Sequence, residues 1–127
     1  MKLKGIKIKL HPTENQKVFI DKNLSLNRFV WNKLLGMQQD RFENGGDYVN
    51  AYGMHYLMKA LKIEFPFLKE AESTSLEYTS DDLDDAFTRF FTNQNNHPRF
   101  KSRKHPKNTY KSKCINHNIM VVDTHYL

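Results

Sequence analysis

The sequence predicts an α+β domain: a split, partial β-barrel, built from an N-terminal strand and returning C-terminal strands and interrupted by an inserted bundle of about four helices. Three observations predict it. Ile6, Lys7, Ile8, Lys9 and Leu10 alternate with period 2, the pattern of a half-buried strand. From Thr13 onward the apolar residues recur instead at helical spacing. After "NQNNHP" short apolar runs return at 109–115 and 119–122, with the turn "NHN" between them. A strand, then helices, then strands is closed most simply by one sheet that joins the two ends. An open three-strand sheet with helices on one face is the alternative.

Residues 1–12 are the first barrel strand. A bulge at Gly5 brings Leu3 into register, and His11-Pro12 ends the strand. Residues 13–95 are the helical insertion. In "TENQ" Thr13 caps the N–H three residues on, and Gln16 reaches back, so a helix starts here and runs through Phe19 and Ile20. Leu26, Val30, Leu34 and Met37, with Trp31 and Leu35 beside them, mark a second helical run or a continuation of the first to Phe42. The two glycines of "NGGD" make a turn. A helix over 49–64 places Tyr52, Tyr56, Ala60 and Ile63 on one stripe beside Leu57 and Leu61, and Pro66 stops it. The last helix, about Ser75 to Thr92, turns Leu83, Phe87, Phe90 and Phe91 to the core. Residues 96–127 are a basic segment and the returning strands, the third of which begins at His125.

A chain of 127 residues is enough for one domain and short for two. At 39% hydrophobic and 27% charged it has globular rather than disordered composition. Cys114 is the one cysteine, which excludes a disulfide framework. No apolar run approaches the ~20 residues of a membrane span. The start "MKLKGIKIKL" has no signal-peptide core, so the chain is expected to be cytoplasmic with its N-terminus intact. A net charge of +6 points to a polyanionic partner. The charge is also segregated: Glu70 to Asp85 holds seven acidic residues and no basic one, and His97 to Lys113 holds seven Lys or Arg and no acidic one. Such blocks orient a molecule in the field of a nucleic acid.

The basic run "HPRFKSRKHPKNTYKSK" supplies the candidate binding residues. Arg99, Lys101, Arg103, Lys104, Lys107, Lys111 and Lys113 can neutralise phosphates, and Phe100 and Tyr110 can stack on bases or ribose. A solvated linker would be the bland alternative. Lys7 and Lys9, on the wet face of the first strand, extend the set. In "RFVWN", Arg28 and Asn32 share a helix face and can reach phosphate or base edges, while Phe29, Val30 and Trp31 cannot all face one side. "DDLDD" at 81–85 has the look of a diphosphate–magnesium motif but reads better as an exposed acidic helix face. Cys114 and His117 have the spacing of half a zinc site with no second half. No metal, cofactor or catalytic residue is expected.

Five blocks in order, "GIKIKLHPTENQ", "RFVWNKLL", "EFPFLKE", "DDLDDAFTRFF" and "HPRFKSRK", make the chain resemble the N-terminal region of TnpB, the insertion-sequence OrfB proteins. These are transposon-encoded RNA-guided nucleases. The resemblance covers essentially the whole chain. It implies a wedge barrel interrupted by recognition helices, formerly called a helix-turn-helix domain, that grips guide RNA and its duplex with target DNA. On that basis Arg28, Asn32, Arg99, Phe100 and Lys101 are the matching positions. The family's RuvC nuclease domain and four-cysteine zinc element have no counterpart in these residues. The resemblance therefore implies a fragment that binds guide RNA or an RNA–DNA duplex without catalysis, with a separate chain carrying the nuclease domain as a second candidate partner. A stand-alone helix-turn-helix regulator of DNA and a non-functional transposon remnant are the alternatives.

Overall fold

The computed structural model describes residues 13–102. Thr13 opens α1 (Glu14–Glu43) with the expected capping box: its hydroxyl accepts from the Gln16 N–H at 3.3 Å, and its own N–H donates to Gln16 Oε1 at 2.9 Å. Helix α1 then runs unbroken for 30 residues, or about 45 Å. Nothing between Ile20 and Leu26 interrupts it, because there is no Gly or Pro. Asn23, the residue there best suited to a turn, is instead fully buried. Its Nδ2 donates to Phe19 O at 2.9 Å and its Oδ1 accepts from the Glu72 N–H at 2.8 Å.

The end of α1 is a Schellman turn. Gly45 sits at φ 77, Gly45 N donates to Phe42 O and Gly46 N donates to Arg41 O at 2.7 Å. A side chain at position 45 would be strained there. Helix α2 (Ala51–Glu64) starts at Asn50, whose Oδ1 accepts from Gly53 N at 3.0 Å. It stops before Pro66, which opens a 3-10 turn over Pro66–Glu70. Helix α3 (Ser73–Phe91) ends as α1 does, with Asn93 in the left-handed region at φ 60 and Gln94 N donating to Arg89 O.

Helix α1 packs against α3, and α2 against α3 and the 3-10 turn. The core between them is Val30, Leu34 and Leu35 of α1, Met54, Met58 and Leu61 of α2, Leu68 of the turn, and Leu76, Leu83 and Phe87 of α3. The α1 reading is borne out, with one continuous helix. On α3, Leu83 and Phe87 are buried and Phe90 packs against the core, while Phe91 is half exposed.

Two expectations are corrected. The described residues are all-α, with three α-helices and one 3-10 turn and no strand among them, so among these residues the fold class is not α+β and no split partial barrel with about four inserted helices is formed. The helices bury their stripes on one another, and Leu34, Leu35, Met54, Leu61, Leu68, Leu76 and Leu83 are sealed without a sheet. The runs read as strands, at 6–10, 109–115, 119–122 and from His125, lie outside the described residues. The second correction concerns α2. Tyr52, Tyr56 and Ile63 face outward, at 85%, 72% and 77% exposed, and the buried stripe is Met54, Met58 and Leu61. Helix α2 is apolar on two faces, and the one without polar atoms to hydrate went inside.

Candidate nucleic-acid interface

Residues 97–101 of the basic segment lie against the outer side of α1 and the end of α3. The ring of His97 stands edge-on to Phe90 and Phe87, at centroid distances of 5.0 and 5.4 Å. Pro98 is buried, at no hydrogen-bonding cost on its nitrogen, and its carbonyl pairs with His97 Nδ1 at 2.8 Å. Trp31 Nε1 donates to Arg99 O at 2.8 Å. Asn32 Nδ2 donates to Lys101 O at 3.0 Å, and Lys101 N donates back to Asn32 Oδ1 at 2.8 Å. The Lys101 ammonium caps the Trp31 ring, 3.9 Å from its centroid. "RFVWN" and "PRFKS", almost seventy positions apart, thus meet as one unit.

Neighbouring residues of "RFVWN" point to three sides. Val30 enters the core. Phe29 turns to the 3-10 turn, with Phe65 and Phe67 edge-on at 5.0 and 5.1 Å and the Lys33 ammonium over Phe65 at 4.9 Å. Trp31 turns to the basic segment. Arg28 lies half-buried on the same face as Asn32, with Nη2 3.5 Å from Ser25 Oγ. Arg99 and Phe100 are exposed beyond the anchored backbone. Of the predicted binding residues, the structure therefore brings Asn32, Arg99, Phe100 and Lys101 together, with Arg28 one turn away. Lys7, Lys9, Arg103, Lys104, Lys107, Tyr110, Lys111 and Lys113 lie outside the described residues, as do Cys114 and His117.

Sequence reasoning did not single out the amides that organise α1. Gln38 brackets the Val49 backbone as Asn32 brackets Lys101: its Nε2 donates to Val49 O, and Val49 N donates to its Oε1 at 3.1 Å. Asn27 Nδ2 donates to Ser75 Oγ at 2.7 Å. With Asn23 these make α1 a post to which three connecting segments are tied. The available signal was an amide set among apolar helix positions, which a two-letter hydrophobic pattern records only as polar.

The acidic face is engaged within the helical domain. Asp81 meets His55 at 2.9 Å, and Asp85 meets Arg89 at 3.0 Å one helical turn on. The Tyr48 hydroxyl donates to Asp84 Oδ1 at 2.6 Å. No group of three His, Cys, Asp or Glu that could hold a metal occurs among the described residues. Burial, the hydrogen bond to Asp84 and its negative charge raise the Tyr48 pKa well above the ordinary 10.0. The unfolded chain therefore releases this proton first. The stability it supports is complete below pH 10.0 and is lost as pH rises above that value. Thermal unfolding followed from about pH 9 to about pH 11 should show a decline that is shallower in Tyr48→Phe. An equal decline in both proteins would place the loss elsewhere.

A family model of a helix-turn-helix domain of insertion-sequence OrfB proteins matches residues 1–47. Over 104 residues, 80% of the chain, the sequence is 30% identical to InsQ of Escherichia coli (strain K12), which is named as an RNA-guided DNA endonuclease. The chain is similar to the N-terminal region of the insertion-sequence OrfB (TnpB) family. It spans about a quarter of the length of InsQ, 26%. The resemblance read from the five blocks is thus borne out, and with it a transposon-associated, nucleic-acid-binding helix-turn-helix domain. Within the OrfB match, the described residues form the single helix α1 and its Schellman turn, and α2 begins beyond the match at Ala51. Among the described residues no helix is long and apolar enough to cross a membrane.

Proposed function

We propose that this OrfB-type chain binds RNA, alone or paired with DNA, through the surface where the basic segment meets α1, and that its described residues serve binding rather than cleavage. One observation carries the reading: Trp31 and Asn32 hold the backbone of residues 99–101 in place, so that a segment of unbroken positive charge starts from a fixed point on the helical domain. A solvated linker would have no reason to be tied down at both ends of a three-residue stretch. Arg28 and Arg99 offer charge on the same side, and Phe100, 54% exposed, offers a ring for stacking. The acidic face, engaged with His55, Tyr48 and Arg89, would turn away from the phosphates. RNA is favoured over duplex DNA on the family resemblance and on the name InsQ bears.

Fluorescence anisotropy of the full chain tests this with three labelled probes of about 16 nucleotides or base pairs: single-stranded RNA, an RNA–DNA duplex and a DNA duplex. The RNA-containing probes should bind more tightly, and each affinity should fall linearly in log–log form with salt. Tighter binding of the DNA duplex would favour a DNA-binding regulator. Binding without salt dependence would sink the reading of the basic segment.

A further inference from the structure

We propose that Asn32 and Trp31 are positioning residues: they do not touch nucleic acid but latch the Arg99–Lys101 backbone onto α1 and so fix how Arg99 and Phe100 are presented. The inference rests on the binding surface proposed above and assigns these two side chains a role within it. An asparagine that contacts a base or a phosphate must have its amide free to face the ligand. Here the Asn32 amide is turned to the backbone of a single residue of its own chain, Lys101, with Oδ1 accepting from its N–H at 2.8 Å and Nδ2 donating to its carbonyl at 3.0 Å. The planar amide does both at once, with donor and acceptor side by side, whereas a carboxylate lacks the donor and a lysine the acceptor. One position before it, Trp31 grips the carbonyl of Arg99 at 2.8 Å. The two side chains therefore hold the backbone on either side of Phe100. Backbone contacts are indifferent to the side chains they carry, which leaves those of residues 99 and 100 for the ligand.

Trp31 is the deeper half of the latch. Its indole is only 7% exposed, and one of its faces is closed by the Lys101 ammonium. A lifted segment would uncover that ring. The chain has a single tryptophan, so its accessibility reports the latch without interference.

The test is a double-mutant cycle on the full chain, read with the single-stranded RNA probe and with acrylamide quenching of Trp31. Asn32→Asp keeps the size and one acceptor but loses the donor to Lys101 O. It should weaken RNA binding about tenfold and expose Trp31 to quencher, while helical circular dichroism is unchanged. Arg99→Ala with Phe100→Ala leaves the latched backbone contacts in place and should weaken binding by a similar factor. Asn32→Leu, which is of similar size, loses both bonds to Lys101 and adds no charge, should cost nothing more when combined with that pair, because the latch acts only through the residues it presents. If Asn32→Asp does not fold, Asn32→Leu, which leaves the Trp31 reporter in place, carries the whole cycle with both readouts. An additive loss in the Asn32→Leu combination would show Asn32 touching RNA itself and would overturn the proposal. So would unchanged affinity in Asn32→Asp, or a Trp31 that is quenched no faster. A pair variant that binds like the parent, with Trp31 uncovered by Asn32→Asp, would instead retain the latch and overturn the binding surface on which its purpose rests.

Discussion

Met54→Ala is expected to lower the unfolding free energy by about 3 kcal/mol, while Tyr52→Ala on the opposite side of α2 changes it by less than about 0.5 kcal/mol. Met54 is completely buried in the core that all three helices build, and its truncation leaves a cavity there. Tyr52 is 85% exposed, so the alanine there removes almost no burial. Tyr56→Ala should fall between them, at up to about 1 kcal/mol, because the Lys59 ammonium lies over its ring at 5.7 Å. Urea unfolding of the full chain measures all three as shifts in midpoint at constant slope. A larger loss from Tyr52 than from Met54 would mean that α2 packs through the stripe that faces outward here.

That comparison also marks where the sequence could and could not be read. Helix α3 was legible because it has one apolar stripe and a polar remainder, and α1 because the Thr13 capping box fixes where it begins and apolar residues recur at helical spacing after it. Helix α2 was legible as a helix but not in its rotation. Tyr52, Tyr56, Ala60 and Ile63 make as regular a stripe as Met54, Met58 and Leu61, and only the shape of the space left by α1 and α3 chooses between them. The barrel was inferred from five alternating residues and two short apolar runs, all of them outside the described residues, whose helices close a core of their own. Arg28, Asn32, Arg99, Phe100 and Lys101 could each be named from the sequence. That Asn32 would hold Lys101 could not, since a side-chain amide bonded to a distant peptide leaves no periodicity to detect.

Replacing Arg99, Lys101, Arg103 and Lys104 together by alanine is expected to reduce single-stranded RNA affinity about 50-fold at about 0.15 M salt, and to flatten the log–log salt dependence by about two units. The figures follow from counting phosphates. A single-strand contact contributes a slope of about 0.7, so three lost contacts remove about two units, and at about 0.15 M that exponent is worth a factor of about 50. Four lost contacts would remove nearly three units and about 200-fold. Three is the expected number because the Lys101 ammonium already sits 3.9 Å from the centre of the Trp31 ring, with its backbone held on both sides by Asn32. Moving that ammonium to a phosphate would give up a cation–π contact on a nearly buried indole. Lys101→Ala alone should therefore leave the salt slope almost unchanged while raising the quencher accessibility of Trp31. A drop of a full contact's slope in that single variant would show that Lys101 leaves Trp31 when RNA arrives. No change of slope in the fourfold variant would remove the basic run from the interface altogether.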